Sequence, residues 1–212
     1  HPDALVMTYV NSSLEVKAMS DVIVTSSNAV QIAKNLPADQ KILFAPDQHL
    51  GRYVAKQAGR EMAFFPGNCF IHTSFSAEEM FKIKAKHPNA LIVAHPECEE
   101  VVLNAADFIG STSKILEFTK ENDATEFIVM TEPGIVHQMK KLSPNKTFLE
   151  GPDLSGCACN VCPHMRLNTL EKLYNCLDQE TPEIHIDPEL AKKAVAPLRK
   201  MMEPVSYTHL RA

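Results

Sequence analysis

A 212-residue chain that resembles itself after a shift of 86 positions has few folds open to it. Ala4-Leu5 lands on Ala90-Leu91, Asp21-Val22-Ile23 on Asp107-Phe108-Ile109, and Thr25-Ser26-Ser27 on Ser111-Thr112-Ser113. Ile42-Leu43-Phe44 lands on Ile128-Val129-Met130, with no gap needed over the first three strand candidates. Any two α/β units share some pattern by chance. Here the polar residues after the apolar runs correspond as well, which favours two copies of one unit.

The unit is legible from its periodicity. Short apolar runs at Ala4–Tyr9, Asp21–Thr25, Lys41–Ala45 and Glu61–Phe65 return as Ala90–Ala94, Asp107–Gly110, Glu126–Met130 and Lys146–Leu149. Between them, apolar residues recur at helical spacing, as at Ala29, Val30, Ile32, Ala33 and Leu36. Strand–helix alternation with unbroken apolar strands predicts parallel sheets buried on both faces, an α/β fold of repeated three-layer αβα units. At 45% hydrophobic the chain can fill one large core or two small ones. The expected boundaries are 1–72 and 73–162 for the two units and 163–204 for C-terminal helices. Residues 205–212 continue no pattern, resemble a translated sequencing adapter, and are left out of the fold expectation, so Tyr207 and His209 receive no role.

Charge and hydropathy exclude other classes. The net charge is −5 and no basic stripe appears, which argues against a nucleic-acid binder. No apolar run approaches the roughly 20 residues that span a bilayer. His1 to Asp3 show no secretory pattern, and a start at His reads as a processed chain or a fragment. That context makes the six cysteines a poor disulfide framework and leans them toward metal or redox roles.

In parallel α/β units, ligands bind beyond the carboxyl ends of the strands. There the first unit offers Tyr9-Val10-Asn11, Thr25-Ser26-Ser27-Asn28 and Cys69 with His72; the second offers His95-Pro96-Glu97 and Ser111-Thr112-Ser113. The run Cys157-x-Cys159-x-x-Cys162-Pro163 admits half a zinc site completed by Cys69 and His72, a redox pair, an iron–sulfur ligand, or unbonded thiols. The hydroxyl-rich segments suit anion binding at helix starts or simple N-capping. His95 and Glu97 suit proton transfer from one loop or a structural pair. Cys98, at a helix start, is placed for thiolate stabilisation. Cys176, among Leu173, Tyr174 and Leu177, reads as core. His49, His87 and His137 read as surface or cap residues.

Taken in order, Tyr9-Val-Asn11, Thr25-Ser-Ser-Asn-Ala29, Phe44-Ala-Pro-Asp47 with Leu50-Gly51, Gly67-x-Cys69-x-x-His72, His95-Pro-Glu-Cys98, Gly110-Ser-Thr112 and Cys159-x-x-Cys162-Pro-x-Met165 resemble the quinolinate synthase family. The resemblance runs from about Ala4 to Glu203. It implies three α/β domains about a pseudo-threefold axis, two of them present here. It further implies one cysteine from each domain on a [4Fe–4S] cluster with an open iron. The implied reaction is a cytoplasmic one of NAD biosynthesis, condensing iminoaspartate with dihydroxyacetone phosphate to quinolinate, with association to L-aspartate oxidase as a partner. By motif, Cys69 and Cys162 match cluster ligands. Tyr9, His95 and Glu97 match catalytic positions. Tyr9, Asn11, Ser26, His72, His95, Glu97, Ser111 and Thr112 match substrate-contacting ones. The family's first domain has no counterpart in the chain, so the C-terminal helices are expected to pack on that missing part and the fragment alone to lack activity. The alternative reading is a non-catalytic zinc-binding or phosphate-ester-binding α/β protein.

Overall fold

The structure, a computed structural model, describes residues 1–153 and 160–209. Among these, eight strands form two four-stranded parallel sheets. The first contains β1 (Leu5–Tyr9), β2 (Val22–Val24), β3 (Ile42–Ala45) and β4 (Ala63–Phe64), in the order β2-β1-β3-β4. The second contains β5 (Leu91–Ala94), β6 (Phe108–Ile109), β7 (Glu126–Met130) and β8 (Thr147–Glu150), in the order β6-β5-β7-β8. The two orders are the same topology, as duplication requires.

Helices make every crossover. They are α1 (Leu14–Ala18), α2 (Ala29–Asn35) and α3 (Gln48–Ala58) in the first unit, and α6 (Glu100–Ala105), α7 (Thr112–Glu121) and α8 (Gly134–Leu142) in the second. Two helices, α4 (Phe70–Thr73) and α5 (Ala77–Lys86), join the units. Ser13, Asp47, Ser76 and Ser111 start α1, α3, α5 and α7 with a side-chain oxygen on an otherwise unpaired backbone N–H. Gly59 ends α3 at φ 66°, a left-handed conformation that glycine adopts without Cβ strain.

The core follows from the pleat. Met7, Val22, Val24, Ile42, Phe44, Leu50 and Val54 pack together in the first unit. In the second, one cluster around Ile92, Ile128 and Met130 and another around Val93, Phe127 and Val129 cover opposite faces of the sheet. Both faces of that sheet are therefore dry, which explains why its strands lack polar alternation.

Two polar devices recur at the repeat distance. The Asp21 carboxylate accepts from Val6 N at 2.7 Å, and the Asp107 carboxylate accepts from Ile92 N at 2.8 Å. Each pairs an amide where its parallel ladder begins. The Arg60 guanidinium donates to the carbonyls of Ala33 and Leu36 at the end of α2, and also to Pro37, Ala38 and Gln40. Lys146 donates to Thr119 and Asn122 at the end of α7. A cation on the last carbonyls satisfies orphan acceptors and opposes the helix dipole.

Strand register corrects one sequence expectation. Met7 pairs Val22 and Val93 pairs Phe108, a constant shift of 86. But Leu5 pairs Ile42 whereas Leu91 pairs Phe127, so the third strands correspond at 85. One residue is missing between β6 and β7 relative to the first unit. A gapless alignment would have sent every β7 side chain to the wrong face.

The C-terminal region holds a 3-10 turn (Met165–Leu167), α9 (Leu170–Gln179) and α10 (Pro188–His209). The last helix runs past the boundary expected at 204. It lies on α1 and β2 of the first unit, with Met201 against that core, so its packing partner is within the chain. The other helix, α9, exposes Leu170, Leu173, Tyr174 and Leu177, a stripe at i, i+3, i+4 and i+7. Cys176 beside them is exposed, not core, because α9 meets no second apolar face among the described residues. Among those residues no helix is long and apolar enough to cross a membrane.

The repeated helix-end clamp gives a stability prediction. Arg60→Ala should lower the unfolding free energy by about 2 kcal/mol and Lys146→Ala by about 1 kcal/mol, since Arg60 satisfies more carbonyls. Urea titration of each variant measures both values.

Candidate functional site

Chemistry-bearing side chains collect where the carboxyl ends of the two sheets face each other. Cys69 is the residue before α4 and is half-buried; His72 follows one turn later and is buried. His95 and Glu97 lie just past β5 and are buried, at 3% and 5% exposure. The Glu97 carboxylate Oε2 is 3.4 Å from His72 Nδ1 and 3.1 Å from His95 Nδ1. The two imidazoles stack at 4.5 Å between centroids and 24° between planes. His72 Nδ1 also lies 3.2 Å from Cys69 Sγ, and His72 Nε2 lies 3.1 Å from the hydroxyl of Thr131. The ligand atoms of Cys69, His72 and Glu97 fall within 4.8 Å of one another, the arrangement of a metal-binding group.

The centre therefore spans the units: Cys69 and His72 come from the first, while His95, Glu97 and Thr131 come from the second. Burial sets its electrostatics. It holds His72 at about 4, with His95 adding repulsion and Glu97 opposing the shift. It holds His95 at about 4 too. The same desolvation raises Glu97, with His72 pulling the other way, and raises the Cys69 thiol. Each shift favours the neutral form, as expected for ionisable groups withdrawn from water. Near neutral pH both imidazoles are therefore uncharged, each with one ring nitrogen free to accept a hydrogen bond.

Tyr9, at the end of β1, is buried and borders this centre. Burial raises its hydroxyl well above the usual phenol range, with Glu97 adding to the shift and a hydrogen bond with Ser26 opposing it. Tyr9 and Ser26 are thus brought together. Asn11 lies exposed in the turn after Tyr9. Ser111 is buried and caps α7 by accepting from Lys114 N at 3.4 Å, the capping role anticipated as one alternative. Thr112 is the first residue of α7 and exposed. In the matching loop of the first unit, Asn28 turns back to accept from Thr25 N at 2.7 Å and leaves α2 without a side-chain cap.

Cys162 is half-buried and reaches this region through its neighbour Asn160. The buried Asn160 side chain accepts from Ser74 Oγ at 3.0 Å and donates to Gly151 O at 3.3 Å, tying the cysteine segment to the end of α4. Cys157 and Cys159 lie outside the described residues. Cys98 corrects an expectation. It is fully buried ahead of α6, its thiol donates to Met130 O at 3.3 Å, and burial raises it far above the usual thiol range. A dry thiol in that position is a core residue, not a stabilised thiolate. His87 caps α5 and faces Glu126, and His137 is exposed, as anticipated.

Two residues were missed. Thr131 has no sequence signal beyond its place after β7. Asp47 stands in Phe44-Ala-Pro-Asp47 without an assigned role, although Asp after Pro before a helical run is an N-cap pattern. Its buried carboxylate accepts from Leu50 N and from Cys69 N, both at 2.7 Å.

Fold and site define a duplicated parallel α/β protein with a thiol–imidazole–carboxylate centre between its two sheets. Comparison with known proteins gives the family. The family described as Quinolinate synthetase A protein matches residues 1–203, and the chain belongs to that family. Proteins named quinolinate synthase are similar over nearly the whole chain. That of Prochlorococcus marinus (strain MIT 9303) is 54% identical over 202 residues, 95% of this chain and 61% of the relative. Those of Microcystis aeruginosa (strain NIES-843 / IAM M-2473) and Cyanophora paradoxa are 52% and 51% identical, each over 96% of this chain, and 64% and 62% of the relative. The chain thus spans less than two thirds of the length of these relatives.

Burial orders the thiols by access. Iodoacetamide under native conditions should modify the exposed Cys176 readily and leave Cys98 untouched until denaturant is added. Peptide mass spectrometry after timed quenching measures the order.

Proposed function

We propose that this chain provides two of the three α/β units of a quinolinate synthase. Residues 1–72 would be the family's second domain and 73–162 its third, with 163–204 as C-terminal helices. The whole enzyme would condense iminoaspartate with dihydroxyacetone phosphate to quinolinate, in the cytoplasm, as a step of NAD biosynthesis. An L-aspartate oxidase partner would supply the unstable imine. The observation that carries the reading is the convergence of Cys69, His72, His95 and Glu97 at the sheets' carboxyl ends, in a chain of this family. The exposed stripe on α9 fits a larger protein in which a further unit covers it.

The residues suit a [4Fe–4S] cluster. Cys69 offers a half-buried thiol at the centre, and Cys162 is tethered through Asn160 to the helix that Cys69 begins. These two would be ligands, with a third from outside the chain. When bound, the cluster would supply an open iron that acts as a Lewis acid toward a substrate oxygen or nitrogen. The chain's own residues do the rest. His95 would accept a proton at an imidazole nitrogen, and Glu97, whose carboxyl burial raises above its ordinary value, would pass one on across the 3.1 Å contact between them. Tyr9 keeps its proton and donates a hydrogen bond, oriented by Ser26. His72, Asn11, Ser111 and Thr112 would bind the polar groups of the substrates, the last two at the start of α7 where backbone N–H groups favour anions.

The Cys69–His72–Glu97 geometry favours one second reading, a zinc site in a non-catalytic protein. Two variants in a protein of the relatives' full length separate the readings. Cys69→Ala should lose the cluster, measured as iron and sulfide after anaerobic reconstitution. Glu97→Gln should keep iron and sulfide while kcat for quinolinate falls at least about 100-fold. Colourless protein with one zinc and no iron would favour the second reading. A normal cluster in Cys69→Ala would remove Cys69 from the ligand set.

A further inference from the structure

We propose that Asp47 is a positioning residue that holds the Cys69 thiol in its ligand direction. The inference rests on the cluster reading of Cys69. Asp47 is 2% exposed and lies between β3 and α3, ahead of the helix it caps. A helix cap needs one acceptor oxygen, and Ser13, Ser76, Ser111 and Thr169 cap their helices with single hydroxyls. Asp47 brings two oxygens into a buried place where a carboxylate is costly. Oδ1 takes the capping bond from Leu50 N, and Oδ2 takes the amide of Cys69, 22 residues away in sequence.

The rest of the loop is built to let the second bond form. Gln48 N donates to Gly67 O at 2.8 Å, and Asp47 and Gly67 form a parallel bridge. A Cβ at Gly67 would stand 2.5 Å from the Pro46 carbonyl, so only glycine permits this approach. On its other side, the Cys69 carbonyl accepts from Thr73 N and from the Thr73 hydroxyl, both at 3.1 Å. Both peptide groups of Cys69 are thereby fixed, and with them the direction of its Cα–Cβ bond. Groups outside a metal's ligand shell commonly tune its retention and potential in this way, through hydrogen bonds and charge.

The test separates capping from positioning. Asp47→Ser and Asp47→Asn both retain an oxygen for Leu50 N, but neither offers Cys69 N a charged acceptor. Each is made in a protein of the relatives' full length, reconstituted anaerobically and compared with the unsubstituted protein and with Cys69→Ala. Thermal melts report folding, iron release to a chelator reports retention, and a redox titration followed by electron paramagnetic resonance reports the cluster's potential. The expected result is folded Asp47 variants with a normal iron content at the outset. They should release iron about 10- to 100-fold faster, and their midpoint potential should be raised by loss of the nearby negative charge. Release and potential unchanged in both variants would overturn the proposal, as would loss of folding in both, since the carboxylate would then serve the fold alone. A normal cluster in Cys69→Ala would instead overturn the ligand reading beneath it.

Discussion

The contact between His72 and Thr131 crosses from one unit to the other inside a dry space, and the site depends on that crossing. A buried imidazole needs partners for its ring nitrogens, because an unpaired polar group away from water costs free energy that packing must offset. Within its own unit His72 has only the Cys69 thiol, at Nδ1. Thr131 takes Nε2, and Nδ1 points to Glu97 and Cys69. The second unit therefore completes the first unit's hydrogen bonding, and the first unit's α4 covers the second unit's strand ends. Separation of the two sheets would break the His72–Thr131 and His72–Glu97 contacts and open these groups to water.

Parallel topology makes this arrangement available. Each crossover returns the chain to the same end of the sheet, so every strand delivers its following residue to one edge. Two copies with the same strand order bring two such edges, and their loops diverged while the frames stayed alike. The frames kept their shared devices, the carboxylates of Asp21 and Asp107 on strand amides and the cations of Arg60 and Lys146 on helix ends. The loops did not. Tyr9 ends one strand and His95 stands at the matching position just past its counterpart, and the chemistry lies in that difference.

What the sequence made legible follows the same division. Apolar runs marked all eight strands, and the repeat marked the unit, because a two-faced parallel sheet demands continuous apolar segments. Cys69, His72, His95, Glu97 and Tyr9 could be placed at strand ends, and the family motifs singled them out. Less could be seen of pairing. Nothing in Thr131 or Asp47 announces a partner far along the chain, since hydrogen bonds between distant loops leave no local period. Cys98 and Cys176 were misplaced for a related reason: whether a thiol is dry depends on what packs over it, and neither position's cover is adjacent in sequence.

The slip of one residue between β6 and β7 bears on how the two copies came to differ. At the shift of 85 that register imposes, Asp47 corresponds to Glu132. Both carboxylates sit at the start of the following helix. Glu132, one methylene longer, folds back to accept from Gly134 N two residues on at 2.7 Å. Asp47 reaches Leu50 three residues on and keeps its second oxygen for Cys69. The side chain in one copy is spent on its own turn, while in the other it links a helix start to a thiol. Corresponding carboxylates, one capping α3 and one a residue ahead of the Pro133 cap of α8, thus serve local structure in the second unit and join local structure to the centre in the first.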